Sequence, residues 1–243
     1  MEDNLEMFRP DNVLKIEEVN YFIERQEIEN GMMEIKGKSI SGRLSHRIIP
    51  TNYNRSAKPE AVCVDLLNKY NNDPTIKNLL SSTFSSSSIR YQNSYGNLLE
   101  AIETLSETHQ FGFREYSSSV YEVEQTIEFI KGKDRSDWIE FSIKNENLLS
   151  ESYEHALDDW ATTAYVLGEG EGSARRRVVL GDSAKGANRR EIYVDARDLQ
   201  SEGMTNTQYD ELLRQRGLEK LSAQQPVLTL SGEINPNDQL YRL

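Results

Sequence analysis

Apolar and polar positions alternate through residues 13–49. Val19, Tyr21 and Ile23 share one parity, and Met33 and Ile35 alternate with Glu34 and Lys36. A period of two marks strands with one buried face. Asn30-Gly31 lies between the two runs. That dipeptide readily supplies two successive positive φ angles, which predicts a type I′ hairpin there. Three or so strands cannot bury both of their faces, so the segment needs partners from elsewhere.

The period changes to that of a helix after residue 51. Pro59 suits a first helical turn, and Val62, Leu66, Leu67 and Tyr70 follow on one face until Asn71-Asn72-Asp73-Pro74 stops them. The serine-rich residues 81–88 read as a loop or an irregular edge. Ser94 is the expected N-cap of a second helix carrying Leu98, Leu99, Ile102 and Leu105, with Gly112 as its terminator. Residues 120–130 and 138–143 read as strands joined by the polar turn Lys131-Gly132-Lys133-Asp134. Residues 51–150 thus form an α+β unit.

Strand texture returns over residues 151–243. Short apolar runs at 160–167, 177–180 and 191–194 are separated by glycine-rich turns, and 226–231 gives one more strand. Thr207 followed by Asp210 resembles a capping box. The helix it opens presents Tyr209, Leu212, Leu213 and Leu221, with Gly217 as an interior weak point. No internal repeat stands out.

Composition narrows the function classes. The 243 residues carry 28 Lys+Arg against 40 Asp+Glu, a formal net charge of −12. Phosphate neutralisation requires a cationic face, so a general nucleic-acid binder and a binder of anionic lipid are both disfavoured. Hydrophobic residues make up 37% and mean hydropathy is −0.68, lean for a self-contained globule. Yet 12 Tyr, 7 Phe and 2 Trp are too many aromatics for a disordered chain. The single cysteine, Cys63, excludes an intramolecular disulfide, and its apolar setting reads as core. No run approaches the roughly 20 apolar residues of a membrane span. The acidic start Met1-Glu2-Asp3-Asn4 lacks the basic flank of a signal peptide, so synthesis in a cytoplasm is expected.

Candidate chemistry is sparse. Gly168-Glu169-Gly170-Glu171-Gly172 is not GxGxxG, and its two carboxylates would repel a phosphate. Gly181-Asp182-Ser183-Ala184-Lys185-Gly186 has P-loop glycine spacing, but Ala187-Asn188 replaces the required Lys-Ser/Thr. The three histidines, His46, His109 and His155, are scattered, and His109 suits a helix C-terminus as a cation. Asp158-Asp159, Glu169-Glu171 and Asp195-Asp198 lack EF-hand spacing. No GxSxG elbow is present. Arg175-Arg176-Arg177 and Arg189-Arg190 are basic patches that read either as solvated strand ends or as a contact with an acidic neighbouring subunit.

A series of motifs spans the second half. Asn147-Leu148-Leu149-Ser150-Glu151-Ser152-Tyr153 leads through Ala164-Tyr165-Val166 to the glycine turn at 168–172. Arg177-Val178-Val179, Gly181-Asp182 and Arg190-Glu191-Ile192-Tyr193-Val194-Asp195-Ala196-Arg197-Asp198-Leu199 follow. Tyr209, Leu212-Leu213, Arg216-Gly217 and Ser231-Gly232-Glu233-Ile234 close it. With Tyr91-Gln92-Asn93-Ser94-Tyr95-Gly96-Asn97-Leu98-Leu99 and Gly112-Phe113-Arg114 upstream, this order resembles the tail-hub, or tail-associated baseplate, proteins of long-tailed phages and prophages of Gram-positive hosts.

The resemblance implies a β-rich α+β fold, with partial β-barrel-like domains flanking an inserted α+β domain. Residues 1–50 would be the later strands of a first barrel-like domain, 51–150 the inserted domain, and 151–243 part of a second barrel-like domain with one helix. It implies a structural virion protein of a siphovirus tail tip, linking the tail tube to host-recognition parts. Its partners would be the distal-tail, tape-measure and receptor-binding proteins, with a homotrimer at full length and neither nucleic acid nor membrane. No catalytic, cofactor-binding or metal residues, and no cofactor, are expected. Such hubs usually extend further at both ends, so a fragment of a longer protein is the expectation. A tail-associated wall-degrading peptidase or other hydrolase, and a cytoplasmic adaptor, are the alternatives.

Overall fold

A computed structural model describes residues 6–79, 83–117, 124–134, 137 and 140–234. The chain forms two compact units. One draws on residues up to 131 together with 201–215, the other on 132–200 and 216 onward.

The first unit opens with the antiparallel sheet β1 (Val13–Ile16), β2 (Val19–Glu29) and β3 (Met32–Ser39), in that spatial order. Glu29 pairs with Met32, and Asn30 and Gly31 between them have φ of 53° and 78°. This is the type I′ hairpin expected from the dipeptide. A 3-10 turn at Ile40–His46 follows. The chain continues through β4 (Tyr53–Ala57), α1 (Pro59–Tyr70), β5 (Ile76–Leu79), β6 (Ile89–Asn93), α2 (Leu98–Thr108), β7 (Gly112–Tyr116) and β8 (Gln125–Ile130). β4 pairs antiparallel with β6. β8 lies between β5, which runs parallel to it, and β7, which runs antiparallel.

One core serves all these pieces. Val62, Cys63, Leu66 and Leu67 of α1 join Leu98, Ala101, Ile102 and Leu105 of α2 in it, together with Tyr53, Tyr91, Ile127 and Phe129 from the strands. Phe22, Ile40, Leu44 and Ile49 bring the first sheet and its 3-10 turn into the same cluster. Small sheets that cannot bury themselves are sealed by two helices with helical-period apolar faces. Cys63 is fully buried, and burial pushes its thiol well above the ordinary value, so it acts as a small apolar side chain.

The ends of α2 differ from expectation. The N-cap is Asn97, three residues after Ser94. Its Oδ1 accepts from the amides of Leu99 and Glu100 at 3.0 and 3.2 Å, and its Nδ2 donates to the Ser45 carbonyl at 2.6 Å. Tyr95 takes a positive φ of 58° in the intervening turn, so the chain enters the helix later than the sequence suggested. The terminator is Gln110, φ 55°, rather than Gly112, which begins β7. Phe111 N–H donates to the Ser106 carbonyl and Gln110 N–H to that of Glu107, a Schellman ending anchored by the buried Phe111 ring. Of the strand expected over 120–130, residues 120–123 lie outside the described residues and 125–130 are β8. Trp138 lies outside the described residues, and Ile143 opens a 3-10 turn (Ile143–Asn145) rather than ending a strand.

The second unit holds β9 (Leu148–Ala156), β10 (Thr163–Leu167), β11 (Arg177–Leu180), β12 (Glu191–Asp195) and β13 (Val227–Ile234). β10 lies centrally, antiparallel to β11 and parallel to β12. β9 and β13 form a separate antiparallel ribbon. α3 (Asn206–Ser222) is capped at Thr205, two residues before the expected Thr207. Thr205 and Gln208 exchange the bonds: Gln208 N–H donates to Thr205 Oγ1 at 3.3 Å, and Thr205 N–H donates to Gln208 Oε1 at 3.0 Å. Gly217 is not a weak point. A Cβ there would collide with Leu180 and Val166, so its absence lets the helix close onto β10 and β11. The sheets have two or three strands each, and among the described residues none closes into a barrel. The α+β, strand-rich character matches expectation.

Asn97→Ala is expected to lower the unfolding free energy by about 1–2 kcal/mol, since it removes both the cap and the Ser45 tie. Ser94→Ala should leave it nearly unchanged. Urea denaturation of both variants checks this.

Candidate functional site

The most elaborate polar arrangement lies on the outer face of the β11-β10-β12 sheet. Ala164, Val166, Val178 and Val194 point to the buried side. Tyr165 and Tyr193 sit side by side in the parallel register on the other.

Two arginines organise this face and the two glycine loops next to it. The Arg175 guanidinium donates to the Gly168 and Leu167 carbonyls at 2.8 and 2.6 Å, to Tyr193 Oη at 2.8 Å and to Asp195 Oδ1 at 2.7 Å. Arg189 donates to the Asp182 and Ala184 carbonyls at 3.1 Å, to Asp182 Oδ1 and Tyr165 Oη at 2.9 Å, and to Glu191 Oε1 at 2.5 Å. Each glycine loop therefore turns carbonyls onto a cation that follows it in sequence. A phosphate cradle needs the reverse, amides facing outward to an anion.

Arg190 and two further arginines of the unit are also engaged. Arg190 donates to the Leu157 carbonyl at 2.6 Å and stacks over Trp160, 5.1 Å from the ring centroid. Arg197 grips Asp195, and Arg216 forms a two-pronged pair with Asp198 at 2.9 and 3.1 Å. The Arg197 and Arg175 guanidinium groups hold the Asp195 carboxyl far below the usual carboxylate range. Arg175 and Arg189 thus direct their guanidinium groups to acceptors within their own unit.

An open cleft of about 430 Å³ lies beside this sheet, lined by Glu191, Ile192, Tyr193, Val194, Asp195, Lys220 and Gln224. Its lining contains no histidine, cysteine, serine or threonine. Both of its acids are held in ion pairs, Glu191 with Arg189 and Asp195 with Arg175 and Arg197.

The scattered histidines stay apart in role. His46 lies 4.0 Å from Glu24 Oε1 and edge-on to the Phe22 ring. His109 is the C-cap of α2, where the Gln215 amide lies 3.1 Å from its Nε2. Burial pushes its pKa below the ordinary value, so it is a neutral hydrogen-bonding ring and not the dipole-compensating cation the sequence suggested. His155 lies on the β9–β13 ribbon. Among the described residues, no three His, Cys, Asp or Glu side chains converge on a metal position.

Two carboxylates in the first unit, Glu60 and the partly buried Asp65, had no sequence signal. Glu60, in the first turn of α1, is fully buried, and its Oε1 accepts the amides of Phe84 and Ser85 at 2.9 and 3.0 Å. Burial alone would raise its pKa. Hydrogen bonds from Ser85 and Phe84 outweigh that and hold the carboxyl below the ordinary value, so it pins the serine-rich loop as an anion. Asp65 accepts from Tyr53 Oη at 2.8 Å, pairs with Lys69 at 3.0 Å and with Arg55 at closer range. The residues involved come from β4 and α1, a pairing only the fold reveals.

The chain matches the family model of the Siphovirus ReqiPepy6 Gp37-like proteins over residues 9–242. It belongs to that family. The match agrees with the siphophage tail family that the resemblance implied. No curated protein matches it. Among solved structures it is similar to prophage tail protein gp18 of Listeria monocytogenes EGD-e, at 11% identity and a TM-score of 0.49, over 83% of this chain and 61% of that one. It is also similar to the tail protein of Neisseria meningitidis MC58, at 15% identity and a TM-score of 0.41, over 75% and 56%. The 43 kDa tail protein of prophage MuSo2 from Shewanella oneidensis is a third, at 9% and 0.44, over 88% and 63%. The Gp37-like chain thus spans about three-fifths of the length of these tail proteins. No described helix is long and apolar enough to cross a membrane.

Two outcomes follow for this Gp37-like chain. The partners of Asp65 overcome its burial and depress its pKa, so its contribution is full above the ordinary value of 3.8 and fades as pH falls through the lower folded value. Asp65→Asn should cost about 2 kcal/mol at neutral pH. Denaturation midpoints of wild type and variant should converge on acidification below pH ~4. Arg189→Ala should speed amide hydrogen exchange through residues 181–188 while leaving exchange in α1 and α2 unchanged, read by mass spectrometry.

Proposed function

We propose that the chain is a non-enzymatic hub component of a siphophage or prophage tail tip, a baseplate part that links the tail tube to the host-recognition apparatus of a Gram-positive host. The observation that carries this is the family match, which runs through nearly all of the chain. The motif order read from the sequence supports the hub assignment within that family.

In this reading the chain is part of a longer protein. Residues 1–50 are the later strands of one barrel-like domain, residues 51–150 an inserted α+β domain, and residues 151–243 part of a second barrel-like domain. The small sheets, β1–β3 and β9–β13, support it, because each keeps edges to which further strands can add. The partners are the distal-tail, tape-measure and receptor-binding proteins, and the full-length protein is a homotrimer in the virion tail, made in the host cytoplasm.

Purified virions test this. Antibody against the chain should decorate the tail tip in gold-labelled electron micrographs, and its peptides should appear in the virion proteome. Absence from intact virions would overturn the hub reading. Light scattering of the full-length protein should give three times the chain mass.

A further inference from the structure

A polar group in the first unit has no part in the tail-tip reading. α1 supplies Glu60, α2 supplies Ser106 and its C-cap His109, and α3 supplies Gln215. Contacts link them in a chain. Glu60 Oε1 accepts the Phe84 amide at 2.9 Å, the Phe84 ring lies 5.5 Å from that of Phe111, and Phe111 follows His109 by two residues. Gln215, 4% exposed, reaches the His109 ring from α3, with Nε2 to Nε2 at 3.1 Å.

That bond fixes the state of the ring. A carboxamide nitrogen only donates, so His109 Nε2 is the acceptor and the ring proton sits on Nδ1. A second proton would set N–H against N–H, so the bond exists only for the neutral imidazole. Burial favours the same state and takes the ring below its ordinary value of 6.5. Glu60 pulls the other way. Among the described residues it is the one charged group acting on the ring, and it favours the charged form. Only half of its carboxylate is used. Oε1 takes both amides of the serine-rich segment, while Oε2 is buried without a hydrogen-bonding partner. Ser106 Oγ, three residues before His109 and on the same side of α2, is likewise buried without one. A buried carboxylate oxygen that lacks a donor carries a desolvation cost, and a charged N–H is the donor that recovers most of it.

We propose that His109 is a proton-driven latch on α3: neutral, its Nε2 accepts the Gln215 amide, and protonated, the ring leaves Gln215 and donates to Glu60 Oε2. The latch does not depend on the tail-tip reading. Its two states bind the proton unequally, which is what allows pH to shift their populations. In the latched state the ring holds its proton less tightly than an ordinary imidazole. The latch is therefore complete above 6.5 and is lost as pH falls through the lower latched value. Glu60 keeps its loop amides in both states, because they occupy Oε1. Acid thus releases the first half of α3 and leaves the serine-rich segment pinned.

Hydrogen exchange on the full chain tests the latch. Amide protection over residues 206–215, taken relative to the intrinsic rate at each pH, should fall several-fold between about pH 7.5 and about pH 5, where an imidazole changes charge. Protection at residues 84–85 and in α1 should hold over the same range. His109→Gln keeps a hydrogen-bonding side chain beside Gln215 but cannot titrate, so its α3 protection should not respond to pH. Glu60→Gln keeps an acceptor for the loop amides and removes the charge that receives the ring, so release should require a lower pH. The His109 ring proton shift, read by NMR and assigned by its absence from His109→Gln, should titrate with the midpoint at which α3 loosens. An α3 response that persists in His109→Gln, a ring titration with no change in α3, or a ring still neutral at about pH 5 would each overturn the latch. Should Glu60→Gln fail to fold, the comparison of wild type with His109→Gln decides alone.

Discussion

A sheet of two or three strands has two faces and too few residues to cover either, and the organisation of this chain answers to that constraint. In the first unit the answer is fusion. Three small sheets and a 3-10 turn give up one face each to a common core, and α1 and α2 seal it. The Phe111, Phe113 and Phe129 rings stack edge to face through its strand side, with centroids 6.2 Å apart for each neighbouring pair. In the second unit the answer is close approach. Gly217 removes a side chain so that helix and sheet can meet at Val166 and Leu180. Among the described residues, Tyr153, Leu228 and Leu230 of the β9–β13 ribbon stay exposed, so the same constraint is left unanswered on that face.

The outer face of β10–β12 shows how an acidic chain uses its cations. With 28 basic residues against 40 acidic ones, each arginine is scarce. Arg175 and Arg189 each gather several acceptors, including loop carbonyls that would otherwise be satisfied only by water. A guanidinium presents five donors in a fixed plane, so one side chain can fix a whole loop where a lysine could hold a point. Loops that resembled anion cradles are thus cation-centred, and their glycines serve the turn rather than a ligand.

How much of this was legible in the sequence follows from how local each signal is. The Asn30-Gly31 hairpin, the helical faces of α1 and α2, the core position of Cys63 and the strand Arg177–Leu180 each depend on a few adjacent residues, and all were readable. The caps were displaced by a few residues because Ser94 and Thr207 are as good in isolation as Asn97 and Thr205. The choice between them was made by the Tyr95 turn and by the Ser45 carbonyl, far away in sequence. β9 gave no alternation because both of its faces are exposed, and β4 pairs with β6 across α1, which no local pattern records. The bonding of Arg175 and Arg189 was hidden for a related reason. A run of charge announces itself in sequence, whereas the carbonyls and tyrosines that neutralise it do not.

The exposed face of the β9–β13 ribbon has one carboxylate, Glu151, and one imidazole, His155, on either side of the Tyr153–Leu230 row, while the acidic residues of β9 and β13 otherwise fall on the reverse side, as Glu154 and Glu233 do. A single-residue slip in register would exchange the two faces and bring those carboxylates forward. The bulge between Glu233 and Ile234 lies at the end of the ribbon, so its middle rows stay in register. The local pairing of two strands thus decides which chemistry the chain presents outward.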